Sequence, residues 1–207
     1  MSAPGRVQAG QASQKTRGLD ISRSDSEEET MTTPDTPLRV ALVGFGVAGS
    51  FFHAPFIAST PGLRLSLVVT SDGTRATQAQ SEYPGVTILE DASLLWARRD
   101  EVDLVVVAAP NVAHVALATA AINAGVPVVV DKPLAVTSVD ARAVIALSKA
   151  RGVPLTVFQN RRFDGDFRTL SRLLADGTLG EPVRFESRFE RWRPAPRPGW
   201  RERGAPE

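Results

Sequence analysis

Leu38-Arg39-Val40-Ala41-Leu42-Val43-Gly44-Phe45-Gly46-Val47-Ala48-Gly49 is the stretch on which the fold turns. Leu38 to Val43 is a short apolar run of strand character, and Val47 to Ala58 follows with the character of a helix. Between them Gly44, Gly46 and Gly49 have the spacing G-x-G-x-x-G. In a strand-turn-helix context the first glycine permits a tight turn and the second lets the backbone approach a pyrophosphate. The third lets helix and strand pack closely. The phosphates of a dinucleotide then meet the amides at the positive end of the helix. Gly44, Phe45, Gly46, Val47, Ala48 and Gly49 are therefore the first candidate cofactor-binding residues.

Outward from this turn the pattern alternates. Strands are predicted at Leu63 to Thr70, Val86 to Ile88, Val102 to Ala108, Val126 to Val130 and Pro154 to Phe158. Helices are predicted at Thr74 to Glu82, Ala92 to Arg98, Asn111 to Asn123 and Ser138 to Arg151, with Gly125 as a stop signal. The run Val102 to Ala108 is almost wholly aliphatic, as a strand covered on both faces must be. This order implies an α/β fold with a doubly wound parallel Rossmann sheet, over residues 38–160.

The ends of the chain differ in character. Residues 1–37 are rich in Ser, Thr, Gly, Gln and charge, without apolar periodicity, and read as a disordered leader. Met31-Thr32-Thr33-Pro34 has the look of an ordinary start just before the first strand, the reading favoured over a functional tail. Residues 161–207 read as a linker helix, Asp166 to Ala175, and the beginning of a truncated second domain. In it Val183 to Glu190 alternates apolar and charged residues like the first strand of a half-buried antiparallel sheet. With no partner strand downstream, that segment is expected to support self-association into a homo-oligomer.

Composition narrows the function. Hydrophobic residues make up 43% and charged residues 23%, and 24 basic residues stand against 23 acidic ones. That balance suits a globular cytoplasmic protein and gives no field that would draw nucleic acid. No apolar stretch is long enough for a membrane span. The absence of cysteine removes thiolate chemistry, and two histidines argue against a metal site.

Cofactor choice is read at the end of the second strand. Thr70 and Ser71 occupy the place where an acidic residue would hold a ribose 2'-hydroxyl, and Arg75 lies one turn on. NADP is thus preferred. Asp72 keeps NAD open, with a helix cap as its other role. Ala109-Pro110-Asn111, His114, Asp131-Lys132-Pro133 and Gln159-Asn160-Arg161-Arg162 all fall at or just past the carboxyl ends of predicted strands, where ligands bind in open α/β sheets. Caps at Asn111 and Asp131, a surface histidine at His114 and a solvated patch at Arg161 are the plainer alternatives.

With these residues the chain resembles the glucose-fructose oxidoreductase and inositol dehydrogenase family, Gfo/Idh/MocA. The motifs are the glycine turn with Phe52-His53-Ala54-Pro55, Ala109-Pro110-Asn111-Val112-Ala113-His114, Ala124-Gly125, Asp131-Lys132-Pro133 and Asn160-Arg161-Arg162-Phe163-Asp164. The resemblance implies a Rossmann domain followed by a C-terminal α/β domain covering the nicotinamide. It implies that Lys132 is the catalytic lysine, with Asp131 where the family usually has glutamate. The substrate class it implies is a small sugar, polyol or related alcohol or carbonyl. The family's aspartate and histidine of the C-terminal domain have no counterpart here, so weak or absent turnover by this chain alone is expected. A non-catalytic dinucleotide-binding subunit and a Rossmann domain for another nucleotide are the competing readings.

Overall fold

A computed structural model describes residues 36–192 and 194–195. The leader read over residues 1–37 lies, except for its last two residues, outside that range. Six parallel strands form one sheet: β1 (Leu38–Val43), β2 (Leu63–Val69), β3 (Thr87–Leu89), β4 (Leu104–Val107), β5 (Val128–Asp131) and β6 (Leu155–Phe158). Their order is β3-β2-β1-β4-β5-β6, so the chain starts in the middle and reverses direction between β1 and β4. That is the doubly wound order whose ligand site lies at the carboxyl ends of the strands beside the reversal.

Side chains of β1 point alternately to the two faces, and two separate cores result. Val40 and Leu42 join Phe45, Ala54, Ile57, Leu65 and Ala79 on one face. Here α1 (Ala54–Ser59) and α2 (Gly73–Glu82) cover the sheet. Ala41 and Val43 join Leu95, Ala118, Ala121, Ile122 and Val144 on the other. There α3 (Ser93–Trp96), α4 (His114–Asn123) and α5 (Ser138–Arg151) supply the cover. Small residues on α4 let it sit close to the sheet, since Ala118 and Ala121 are fully buried.

Helix ends follow local chemistry. Gly125 takes φ 74° just past α4, as expected, and its N–H and that of Val126 return to Ile122 and Ala121 carbonyls. At α5 the Thr137 hydroxyl oxygen accepts from Asp140 N–H at 3.1 Å, and the hydroxyl donates to the Asp140 carboxylate at 2.7 Å. Gly152 closes the same helix in the left-handed region.

Two expectations need correction. The helix read over Val47 to Ala58 does not continue as a regular α-helix: Ala48–His53 is a π-helical turn that runs on into α1. Pro55 explains the widening, because it has no N–H to donate and its ring would crowd the Phe51 carbonyl of a regular helix. The strand expected at Val183 to Glu190 is not formed. A strand exists only with a hydrogen-bonded neighbour, and no described segment lies alongside; Val183 is 98% exposed and Phe189 75%. Nearby, α6 (Gly165–Ala175) forms as predicted but buries none of its residues. Among the described residues no helix is long and apolar enough to cross a membrane.

One ion pair ties the reversal together at the opposite ends of the strands. Asp103, just before β4, accepts from Arg39 of β1 through the backbone N–H at 2.7 Å and through Nε and Nη2 at 2.9 Å each. These bonds hold the Asp103 carboxyl down to about 2 from its ordinary 3.8. A depressed carboxylate stabilises the fold above its unfolded pKa and loses that contribution as the pH falls through the folded one. Both side chains are about one-third exposed, so solvent screening leaves roughly 1 kcal/mol. Asp103→Asn should therefore lower stability by about 1 kcal/mol at pH 7. In urea melts at successive pH values, the difference from the parent should vanish between pH 4 and pH 2.

Candidate cofactor and substrate site

The glycine turn is built by close backbone contacts. Gly44 has φ 99°, and a Cβ placed on it would lie 2.6 Å from the Ala108 carbonyl oxygen at the end of β4. On Gly49 a Cβ would fall 2.0 Å from the Gly44 carbonyl oxygen. Both positions therefore exclude any side chain for reasons of packing alone. Gly46 is different: a Cβ there meets only Nη1 of Arg75, at 3.9 Å. The fold leaves that side open, which is the condition for a pyrophosphate to approach the backbone.

Arg75 reaches this turn from the first turn of α2. Asp72 caps that helix, its Oδ1 accepting from Thr74 N–H at 3.0 Å and Arg75 N–H at 3.1 Å, while Oδ2 lies 3.6 Å from Arg75 Nε. The carboxylate is thus engaged by its own helix. Thr70 is buried, and its Oγ1 accepts a long bond from Asp72 N–H at 3.4 Å, so it shapes the loop. Ser71 and Arg75 are exposed beside it.

The strand ends bring the remaining candidates together unevenly. A cleft of about 880 Å³ is lined by Val47 and Ala48 of the glycine turn, Phe52, Asp131, Lys132, Phe158, Asn160, Arg161, Phe189 and Arg191. Ala109, Pro110, Asn111 and His114 are absent from this lining. His114 is 1% exposed, with Nδ1 2.7 Å from the Pro133 carbonyl oxygen and Nε2 2.8 Å from that of Ala109. Both ring nitrogens face backbone acceptors, which leaves none for a ligand. His114 instead fastens the loop after β4 to the loop after β5. The Lys132–Pro133 peptide in that second loop is cis.

Lys132 is exposed at the end of β5, and its own N–H donates to Asp131 Oδ1 at 2.9 Å. Arg161 donates to Asp164 at 2.7 Å and lies 5.8 Å from the centre of the Phe189 ring. The cleft runs from Val47 and Ala48, beside the open glycine Gly46, to Lys132.

Residues 38–159 match the oxidoreductase family with an NAD-binding Rossmann fold, Gfo/Idh/MocA. The chain belongs to this family. The uncharacterized oxidoreductase YdgJ of Escherichia coli is 47% identical over 169 residues, 82% of this chain and 48% of that protein. The scyllo-inositol 2-dehydrogenase (NADP+) of Bacillus subtilis is 28% identical over 166 residues, 80% of this chain and 45% of that enzyme. A solved structure from Yersinia pestis, named as an oxidoreductase, superposes with a TM-score of 0.75 at 43% identity, covering 81% of this chain and 47% of its own. The chain thus spans about half the length of the curated relatives it matches.

Sequence reasoning placed Asn160 among the strand-end candidates but missed Phe158, Phe189 and Arg191 as lining residues, and it quoted Phe52 and His53 in the family motif without giving either a role. The aromatic residues carry no pattern that separates a cleft wall from a core. His53 did carry a signal, being one of two histidines in the chain and four residues past the last glycine of the turn.

The glycines separate binding from folding. Gly46→Val should leave the melting temperature nearly unchanged while weakening NADPH at least a hundredfold in calorimetry. Gly49→Ala should do the reverse in kind, since its Cβ collides with backbone: a loss of about 1–3 kcal/mol in stability, as overpacked sites show. Unaltered NADPH affinity in Gly46→Val would remove the phosphates from this turn.

Proposed function

We propose that this chain is the NADP(H)-binding half of an oxidoreductase that moves a hydride to or from a carbinol carbon of a polyol or sugar. The observation that carries the proposal is the continuity of one cleft from Val47 and Ala48 of the glycine turn to Lys132 at the end of β5. A cofactor bound at the glycine turn would thereby lie beside the proton-handling group. The named activity of the Bacillus subtilis relative supports both the polyol class and the phosphorylated cofactor.

NADP over NAD rests on charge. At the end of β2 the Asp72 carboxylate is held by the α2 amides and lies beside Arg75, while Ser71 is exposed and the Arg75 guanidinium stands exposed near Gly46. A 2'-phosphate placed there would receive a charge-assisted contact from Arg75 and a hydroxyl from Ser71. A 2'-hydroxyl would find only Asp72 Oδ2, which already lies 3.6 Å from Arg75 Nε.

When bound, the nicotinamide accepts a hydride in the oxidation direction and donates one in reduction. Lys132 acts on the other half of the balance: its Nζ takes the hydroxyl proton as the carbon becomes a carbonyl, and returns it in reverse. In the reduction direction it starts as an ammonium and stabilises the negative charge developing on the substrate oxygen before giving up that proton. Asp131 orients the lysine through the Lys132 N–H, and Arg161 and Asn160 offer donors to the substrate's remaining hydroxyls. A second domain of the kind the family resemblance implies would lie over the cleft and exclude water, which strengthens these electrostatic contacts.

Two measurements test the assignment. Arg75→Ala should weaken NADPH by about ten- to a hundredfold, the range of a lost charge-assisted hydrogen bond, and NADH less than twofold. Equal losses would remove the 2'-phosphate from this position. In a full-length version assayed over a panel of inositols and sugars, Lys132→Met should lower turnover by about 10²–10⁴, the usual weight of a general acid-base group, with NADPH affinity within threefold of the parent. Near-normal turnover would move the proton to another residue.

A further inference from the structure

His53 ends the π-helical turn, 5% exposed, wedged against the Phe158 ring with ring centroids 4.5 Å apart. Its Nε2 is the one buried side-chain polar atom among the described residues that has no hydrogen-bond partner. A buried ring nitrogen without a partner costs about 1–3 kcal/mol, so such an atom calls for a reason. The nearest charged atom is Asp131 Oδ1, 4.0 Å away, beyond hydrogen-bond reach. That same oxygen accepts the Lys132 N–H. Asp131 is the carboxylate that faces His53 from the end of β5, and β6 contributes only the Phe158 ring. Burial lowers the His53 pKa and Asp131 partly restores it, so near pH 7 the ring is a neutral donor or acceptor rather than a fixed cation.

We propose that His53 is a positioning residue for Lys132: in the cofactor-loaded site its Nε2–H donates to Asp131 Oδ1, and Asp131 in turn holds the Lys132 backbone. The inference rests on the reading of Lys132 as the proton-handling group. Hydrogen bonds that serve catalysis are often long in ligand-free sites and shorten when the site fills. The geometry has room for that closure. Phe52, beside His53 in the chain, and Asp131 both line the cleft, so a ligand seated there would touch residues on both sides of the 4.0 Å gap.

Two histidines make the test direct, because the imidazole nitrogens of a ¹⁵N-histidine-labelled chain give two sets of signals, assigned by His53→Gln. With saturating NADP+ at pH 7, His53 should appear as the Nε2–H tautomer with a solvent-protected proton. Asp131→Asn should abolish that protection and move the His53 titration midpoint down. Amide exchange then reads the effect on the lysine. His53→Leu should speed exchange of the Lys132 N–H about tenfold and leave the amides of Val128 to Val130 at parent rates, and His53→Gln, which keeps a donor at the same reach, should restore it. An Nδ1–H tautomer with and without cofactor, or Lys132 exchange unchanged in His53→Leu, would overturn the proposal. Uniform acceleration throughout β5 would overturn it as well, since that is the signature of packing. Loss of the catalytic reading is a separate result: Lys132→Met with normal turnover would displace the proton-handling role while these exchange rates still report whether His53 sets the loop.

Discussion

The contact between Gly49 and the carbonyl of Gly44 brings the first helix down onto the end of β1. A methyl group there would stand 2.0 Å from the oxygen, and one on Gly44 would stand 2.6 Å from the carbonyl of Ala108. Both clashes are with backbone, which cannot move aside without opening the sheet. The consequence is that turn, helix and the end of β4 share one fixed geometry, and every other feature of the cleft is measured from it. Gly46, between them, is then left as the open face.

Around that fixed point two histidines divide the work of holding the loops. His114 is locked, both nitrogens against the Ala109 and Pro133 carbonyls. His53 is the opposite case, buried and without a partner. One fastens the loops after β4 and β5 to each other, and the other stands 4.0 Å from the carboxylate beside the lysine.

The fold was legible wherever one residue type had one physical reason. The apolar run of β1, the aliphatic β4 and the stop at Gly125 each express burial or backbone freedom that no distant partner alters. Strand ends gather candidate residues because parallel order does so by itself, and Lys132, Asp131 and Arg161 did meet in one cleft. What escaped sequence reasoning depends on partners far along the chain. Val183 to Glu190 alternates like a strand, yet alternation supplies a face and not a neighbour. His114 sits in a helix whose pattern says nothing of a carbonyl nineteen residues later. Thr70 lies at the expected position, but its side chain is buried and faces its own loop.

The central place of β1 also governs the order in which the chain can acquire structure. Its partner on one side, β2, follows after a single helix, whereas β4 comes only after β2, α2, β3 and α3. During synthesis from the amino end, the three strands β1 to β3 can close on one another while the other edge of β1 still offers free amides and carbonyls. That edge consists of Val40 to Val43, the same residues that later pair with Leu104 to Val107. The aliphatic β4 therefore completes a template already laid down, and pairing of an early half with the wrong strand is the hazard this topology carries until residue 107 has left the ribosome.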